Sequence, residues 1–309
     1  MIRNGGETME KKDWDRLIYG LESGYCTPFL GAGVCSGTLP TGGQLSSRWA
    51  QKEGYPFTNG RSLPDVMDFV VTMHGNDAVY VKERVVEDLL YKKNGKKRGR
   101  PKLPDFSSVH EPHNVLARFP LPVFFTTNYD DFMVRALTEA GKEPFALTCP
   151  WYEDGGGTAP DLPNRPTPEQ PAVFHLHGSA ADPASLVLSR SDYIRFLINL
   201  SMNTASPDHS FIPGPLLTSL TERPLLFIGY SLQDWSFAVL FQGLLQTISS
   251  LQQRRHISIQ LTPPSARRGS ERIAEEYLTR TFDRWNITVY WGKVEDFCQE
   301  LGARMGWSA

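Results

Sequence analysis

Residues 121–137 constrain this chain more than any other stretch. The apolar run Leu121-Pro122-Val123-Phe124-Phe125 has the length and composition of a buried strand, and Asp131-Phe132-Met133-Val134-Arg135-Ala136-Leu137 has the spacing of an amphipathic helix. Between them stands Thr126-Thr127-Asn128-Tyr129-Asp130. A strand that turns at once into a helix belongs to an α/β sheet. Polar groups at the carboxyl end of such a strand lie where open sheets bind their ligands. A simple turn capped by Asn128 and Asp130 would use the same residue types.

Three further runs repeat the layout. Pro28-Phe29-Leu30 breaks into Gly31-Ala32-Gly33-Val34, with Ser36 and Gly37 beyond. Gly31 and Gly33 predict a turn where backbone approaches a pyrophosphate, followed by a helix whose first N–H groups face the charge. Ser36 stands where a third glycine of G-x-G-x-x-G would be, and an ordinary tight turn has the same glycines. The next cluster is Ala172-Val173-Phe174-His175-Leu176-His177-Gly178-Ser179, and the last is Leu225-Leu226-Phe227-Ile228-Gly229-Tyr230-Ser231-Leu232 with Gln233 and Asp234 after it. Four apolar strands ending in Gly, Ser, Asn or His predict a parallel sheet with one crevice lined from four sides.

The four clusters GAG, TTNYD, HLHG and GYSLQD, in this order, resemble the motifs of the sirtuin-like family, most closely its bacterial branch of NAD-cleaving enzymes of anti-phage defence. The resemblance runs from about residue 29 to 234. It implies a doubly wound, Rossmann-like sheet and NAD as substrate, cleaved to nicotinamide and ADP-ribose. It places the catalytic roles on Asn128 and His177. Contacts to the dinucleotide fall on Gly31, Ala32, Gly33, Ser36, Thr127, Asp130, Gly229 and Ser231, with Asp130 near the nicotinamide amide and Ser231 on the adenine side. His177, with an ordinary pKa near 6.5, would take a proton at neutral pH. The deacetylase branch fits less well: its four-cysteine zinc ribbon has no counterpart, Thr127 stands where Gln precedes Asn, and its Phe-Arg pair is absent.

Two other classes stay open. His175 and His177 at i and i+2 of a strand would face one way. They resemble half of a metal-dependent hydrolase site, which Asp130 and Asp234 would complete. A non-catalytic subunit that binds NAD or ADP-ribose would use the same crevice. Because the nicotinamide ring is already cationic while bonded to ribose and departs neutral, it needs no further activation, and the NAD reading expects no metal.

The remaining sequence sets the frame. Four scattered cysteines, Cys26, Cys35, Cys149 and Cys298, form neither a zinc knuckle nor an evident disulfide framework. A net charge of −2 gives no global case for nucleic acid or membrane. No apolar segment reads as a signal peptide or a membrane span, so the expected location is the cytoplasm. Residues 1–12 read as a loose start, 13–300 as the catalytic domain and 301–309 as a tail. A helical insertion occupies about 51–105, with two helices in 63–90, and a long Pro- and Gly-rich loop occupies 149–171. Helices are expected over 185–202 and 272–282, with late strands at 257–261 and 287–290. Residues 92–102 hold seven basic side chains in eleven. They read as a solvated loop, or as a contact to nucleic acid or an acidic partner. No sensor domain follows Asp234, so the resemblance implies a homo-oligomer working with a separate protein such as a HerA-type DNA-translocating ATPase. An Argonaute-like partner fits less well, for want of an added docking domain.

Overall fold

A computed structural model describes residues 9–58, 62–94, 97–153, 157–203, 211–230, 254–261 and 271–307. Seven parallel strands form the sheet: β1 (Thr27–Leu30), β4 (Val123–Thr126), β5 (Phe145–Thr148), β6 (Ala172–His175), β7 (Leu225–Ile228), β8 (His256–Gln260) and β9 (Ile287–Trp291). Their spatial order is β5-β6-β4-β1-β7-β8-β9. The chain runs from β1 to β4, out to the edge as β5 and back between the two as β6, then crosses to the other side of β1 as β7. That reversal puts a topological switch point between β1 and β7, the place where doubly wound sheets bind ligands.

Both faces of the sheet are covered, which explains strands that are apolar throughout. On one face Phe29, Phe125, Phe174 and Phe227 form a row of rings across β7, β1, β4 and β6, with neighbouring centroids 5.6–5.8 Å apart. On the other, Leu30, Phe124, Val173, Leu226 and Ile228 join the larger core. Burying each such side chain contributes roughly 1.5–3 kcal/mol, so the central strands are fixed by their own sequence.

Around the sheet pack α1 (Lys11–Glu22), α2 (Gly42–Glu53), α3 (Leu63–Met73), α4 (Ala78–Leu90), α5 (Pro112–Ala117), α6 (Phe132–Glu139), α7 (Arg190–Asn203), α8 (Gly214–Glu222), α9 (Glu271–Asp283) and α10 (Val294–Arg304). The start of α2 is written in sequence: Thr41 and Gln44 form a reciprocal capping box. Residues 63–90 give the two expected helices.

Four expectations differ from what forms. No α-helix follows the glycine turn directly. Ala32–Cys35 is one 3₁₀ turn, and α2 begins only at Gly42. The amino-terminal segment is ordered sooner than expected, with Met9 buried and α1 starting at Lys11. The basic stretch is no open loop: β2 (Tyr91–Asn94) pairs antiparallel with β3 (Lys97–Pro101). Its last lysine has a structural job, since Lys102 Nζ donates to the Asp88 and Leu89 carbonyls at the end of α4. Finally, β5 is an added edge strand, short and half-exposed, whose sequence carries little periodic signal.

Candidate active site

At the switch point three glycines let two backbones touch. Gly33 N–H donates to the Gly229 carbonyl at 2.9 Å, and Gly31 N–H donates to Ile228 at 2.8 Å. A Cβ on Gly229, whose φ is +77°, would stand 2.2 Å from Val34 N, and one on Gly31 would meet the Tyr230 ring at 2.9 Å. Both amide protons are therefore spent on the β7 side. The glycines allow this backbone-to-backbone packing. Tyr230 lies across Gly31 and reaches Thr127 Oγ1 with its hydroxyl at 2.5 Å, tying the ends of β7 and β4 together over β1. Ala32 and Ser36 are exposed beside this crossing. Ser231, Gln233 and Asp234 lie outside the described residues.

Asn128 is buried and built into the same crossing. Its Nδ2 donates to the Gly31 carbonyl (3.1 Å) and to Cys35 Sγ (3.4 Å), and its own N–H is held by Thr126 Oγ1. One amide thus fixes the carboxyl ends of β4 and β1 against each other. Asp130 sits beneath it, one carboxylate oxygen accepting the Phe132 N–H at the start of α6 and the other accepting the Cys35 thiol at 3.3 Å. Burial first, then the Asp130 carboxylate, push the Cys35 thiol well above its ordinary range. Behind Cys35 comes His113, with Nε2 4.0 Å from the sulfur and Nδ1 2.5 Å from Glu111 Oε1. Cys35, His113 and Asp130 are the group of possible metal ligands found among the described residues, with ligand atoms all within 4.8 Å.

The two histidines part company. β6 ends at His175, so the alternation expected to carry both rings to one side stops before His177. His175 turns to the β4 side, its Nδ1 3.2 Å from the Asn128 carbonyl, and burial lowers its pKa. His177 turns instead to α7 and lies edge-on between Tyr193 and Phe196, with centroids 5.4 and 5.0 Å away. The shared-face premise of a paired histidine metal site does not hold. Burial alone pushes the His177 pKa down to about 3, so its imidazole is neutral at physiological pH. The ordinary value assumed from sequence is overturned by those two rings.

α7 is held from a distance. Lys82 of α4, itself buried, donates to Asp192 Oδ1 (3.0 Å) and to the Ala184 carbonyl (3.2 Å). Asp192 also accepts the Leu188 and Ser189 N–H groups at the entry to α7. Gly178, with φ of +87°, lets the turn after His177 run against Ser185, where a Cβ would stand 2.1 Å from the carbonyl. Trp151 is a buried anchor, its indole donating to the same Ser185 carbonyl at 2.7 Å, and Tyr152 bonds to Asp182. These two aromatics anchor the start of the 149–171 segment.

Sequence reading passed over Cys35, Glu111, His113, Tyr193, Phe196 and Tyr230 as parts of the site. Tyr230 stood inside a quoted motif, and Cys35 lay between Gly33 and Ser36. Glu111 and His113 gave no signal, because α5 is brought under the crossing only by the fold.

An open parallel sheet with Gly, Asn and His at the strand ends around its switch point defines a Rossmann-like ligand-binding domain. A family model described as a SIR2-like domain matches residues 122–290, more than half of the sequence, and the chain belongs to that family. It is also similar to the NAD(+) hydrolase ThsA of Bacillus cereus strain MSX-D12, 28% identical over 146 residues, which is 47% of this chain and 27% of that protein. The NAD(+) hydrolase ThsA of Enterococcus faecium is 25% identical over 226 residues, 71% of this chain and 40% of its own length. A third, from Cytobacillus dafuensis, is 27% identical over 156 residues, covering 47% and 26%. The chain thus spans well under half the length of the curated relatives it matches.

Proposed function

We propose that this chain is an NAD glycohydrolase that cleaves the bond between nicotinamide and ribose, with water as acceptor. The observation that carries the reading is the placement of Asn128 and His177. Each stands two residues beyond the register pair Thr126–His175 on the neighbouring strands β4 and β6, Asn128 against the glycine crossing and His177 against α7. The relatives named NAD(+) hydrolase support the same chemistry.

Cleavage passes through a ribosyl cation, and nicotinamide needs no protonation to leave. The demand on the protein is a dry crevice that tolerates developing positive charge. Asn128 meets it with an amide whose Nδ2 is already committed to Gly31 and Cys35, leaving Oδ1 to accept from a ribose hydroxyl or the attacking water. His177 meets it as a neutral ring: an imidazolium beside the forming cation would be repelled, and burial between Tyr193 and Phe196 prevents that charge. Its part is to accept a hydrogen bond and orient the nucleophile. Deprotonating water in the resting state would ask too much of so weak a base. Asp130 and Thr127 would border the nicotinamide side, and Gly31, Ala32, Gly33, Ser36, Gly229 and Ser231 the rest of the dinucleotide.

Incubation of purified protein with NAD tests this directly, with nicotinamide and ADP-ribose as the expected products. Asn128→Ala and His177→Ala should each lower turnover by about a hundredfold or more while the protein stays folded. Full activity in folded His177→Ala would remove that residue from the mechanism. NAD bound but intact after long incubation would make the chain a non-catalytic binder instead.

The resemblance also supports a biological reading in which NAD depletion serves anti-phage defence, with the chain as a homo-oligomer docked to a HerA-type ATPase. Light scattering of the isolated protein tests the first part and co-purification with the ATPase tests the second. An unregulated, fully active monomer that holds no partner would overturn both. Among the described residues no helix is long and apolar enough to cross a membrane.

A further inference from the structure

The cluster beneath Asn128 has a use that NAD cleavage does not call on. We propose that Cys35, His113 and Asp130 bind one zinc-class divalent cation, and that its binding switches the crevice off. The switching clause rests on the NADase reading, whereas the site itself does not.

His113 and Asp130 each present one atom to the Cys35 sulfur and have the other polar atom pinned outward. His113 Nδ1 is held at 2.5 Å by Glu111 Oε1, and Glu111 Oε2 in turn accepts the Asn114 N–H at 2.7 Å. Because a carboxylate accepts, Nδ1 carries the hydrogen, and in the neutral ring Nε2 then turns its lone pair toward Cys35. A histidine so backed by a carboxylate is the usual outer support of a metal-binding imidazole. Asp130 Oδ1 is taken by the Phe132 N–H, which leaves Oδ2 facing the sulfur.

With all three ligand atoms within 4.8 Å of one another, the two edges at the sulfur come near those of a tetrahedral cation. Zinc bonds of about 2.3 Å to sulfur and about 2.0–2.1 Å to nitrogen or oxygen imply ligand–ligand edges of about 3.4–3.6 Å. The observed Cys35 Sγ to Asp130 Oδ2 edge is 3.3 Å and the Sγ to His113 Nε2 edge is 4.0 Å. The latter is long for an N···S hydrogen bond, and a small inward movement of His113 would bring it to the metal edge. One sulfur, one imidazole and one carboxylate favour zinc or cobalt over magnesium or calcium, which take oxygen shells. On binding, the Cys35 S–H bond breaks, its proton goes to solvent and a metal–thiolate bond forms. The cation would draw Asp130 inward and set positive charge directly under Asn128, where the ribosyl cation must develop. All three ligands are buried, and Ser36, next to Cys35, is exposed.

Titration of metal-free protein with Co²⁺ is the test. One equivalent should bind with a thiolate-to-cobalt charge-transfer absorption and the visible bands of a four-coordinate site, and Zn²⁺ should displace it. Cys35→Ser, nearly isosteric, should fold, lose the charge-transfer band and bind about tenfold or more weakly. Cys149→Ser should keep the band. A folded wild-type protein without the band, or a Cys35→Ser protein that retains it, overturns the site. For the switch, one equivalent of Zn²⁺ should cut NAD turnover about tenfold or more in the wild type. Cys35→Ser, compared with its own EDTA-treated rate, should be unmoved. Full turnover with the cobalt band present overturns the switch. The band in a protein that never cleaves NAD supports the site and refutes the NADase reading.

Discussion

Replacing His177 with Gln asks whether the two rings of α7 really keep this imidazole uncharged. Its folded pKa of about 3 lies below the ordinary 6.5, so between these values the unfolded chain binds a proton that the folded chain refuses. Stability is then fully present above about pH 6.5 and drains away as the pH falls toward 3, at up to about 1.4 kcal/mol per unit. From about pH 7.5 to about pH 5 the loss due to His177 comes to about 2 kcal/mol. His256 adds a loss of the same sign, because burial lowers it to about 4 and its Nδ1 accepts the Leu225 N–H. Comparison with the variant cancels that background. Equilibrium urea unfolding at both pH values should show the wild type losing about 2 kcal/mol more than His177→Gln. Parallel losses in the two proteins would refute the buried, neutral imidazole, as would a His177 proton resonance that titrates near neutrality.

Three other outcomes follow from the same geometry. Lys82→Met leaves the partly buried Asp192 without its cation and should cost about 2–3 kcal/mol in urea unfolding, with a fall in NAD turnover as α7 loosens around His177. Gly229→Ala forces a side chain onto a φ of +77° and into Val34 N, and thermal melting should show a loss of about 3 kcal/mol or more, or no folded protein. NAD turnover should survive exhaustive EDTA treatment, since the leaving group needs no Lewis acid; turnover lost on chelation and regained with zinc would instead indicate a metal-dependent hydrolase.

The sheet was legible in the sequence because its strands are buried on both faces. Phe124-Phe125, Val173-Phe174 and Phe227-Ile228 leave no polar side of a strand to be mistaken for a surface, and Asn128, His177 and Gly229 mark the strand ends without help from homologues. What could not be read was direction and environment. His175 and His177 are two residues apart in any representation of the chain, and only the strand's end at His175 sends them to opposite partners. The pKa of His177 depends on Tyr193 and Phe196, residues of a helix the sequence did predict, packed in a way it did not. Glu111 and His113 were illegible for the same reason. β5 was missed because Phe145-Ala146-Leu147-Thr148 pairs only at the sheet's edge, where half-exposed side chains follow no pattern.

The ties that hold α7 have a kinetic corollary. Lys82 and Asp192 are 110 positions apart, and Arg190 reaches Asp65 across 125. The entropy of closing such loops rises only slowly with their length, so during synthesis the order in which the partners emerge decides which tie can form first. Asn128 closes on Gly31 across 97 positions, a loop of nearly the same cost, but it needs only residues made by position 128, whereas the wall around His177 needs α7 as well. If the crevice acts as proposed, its His177 wall would be completed only after α7 has been made and tied to α4.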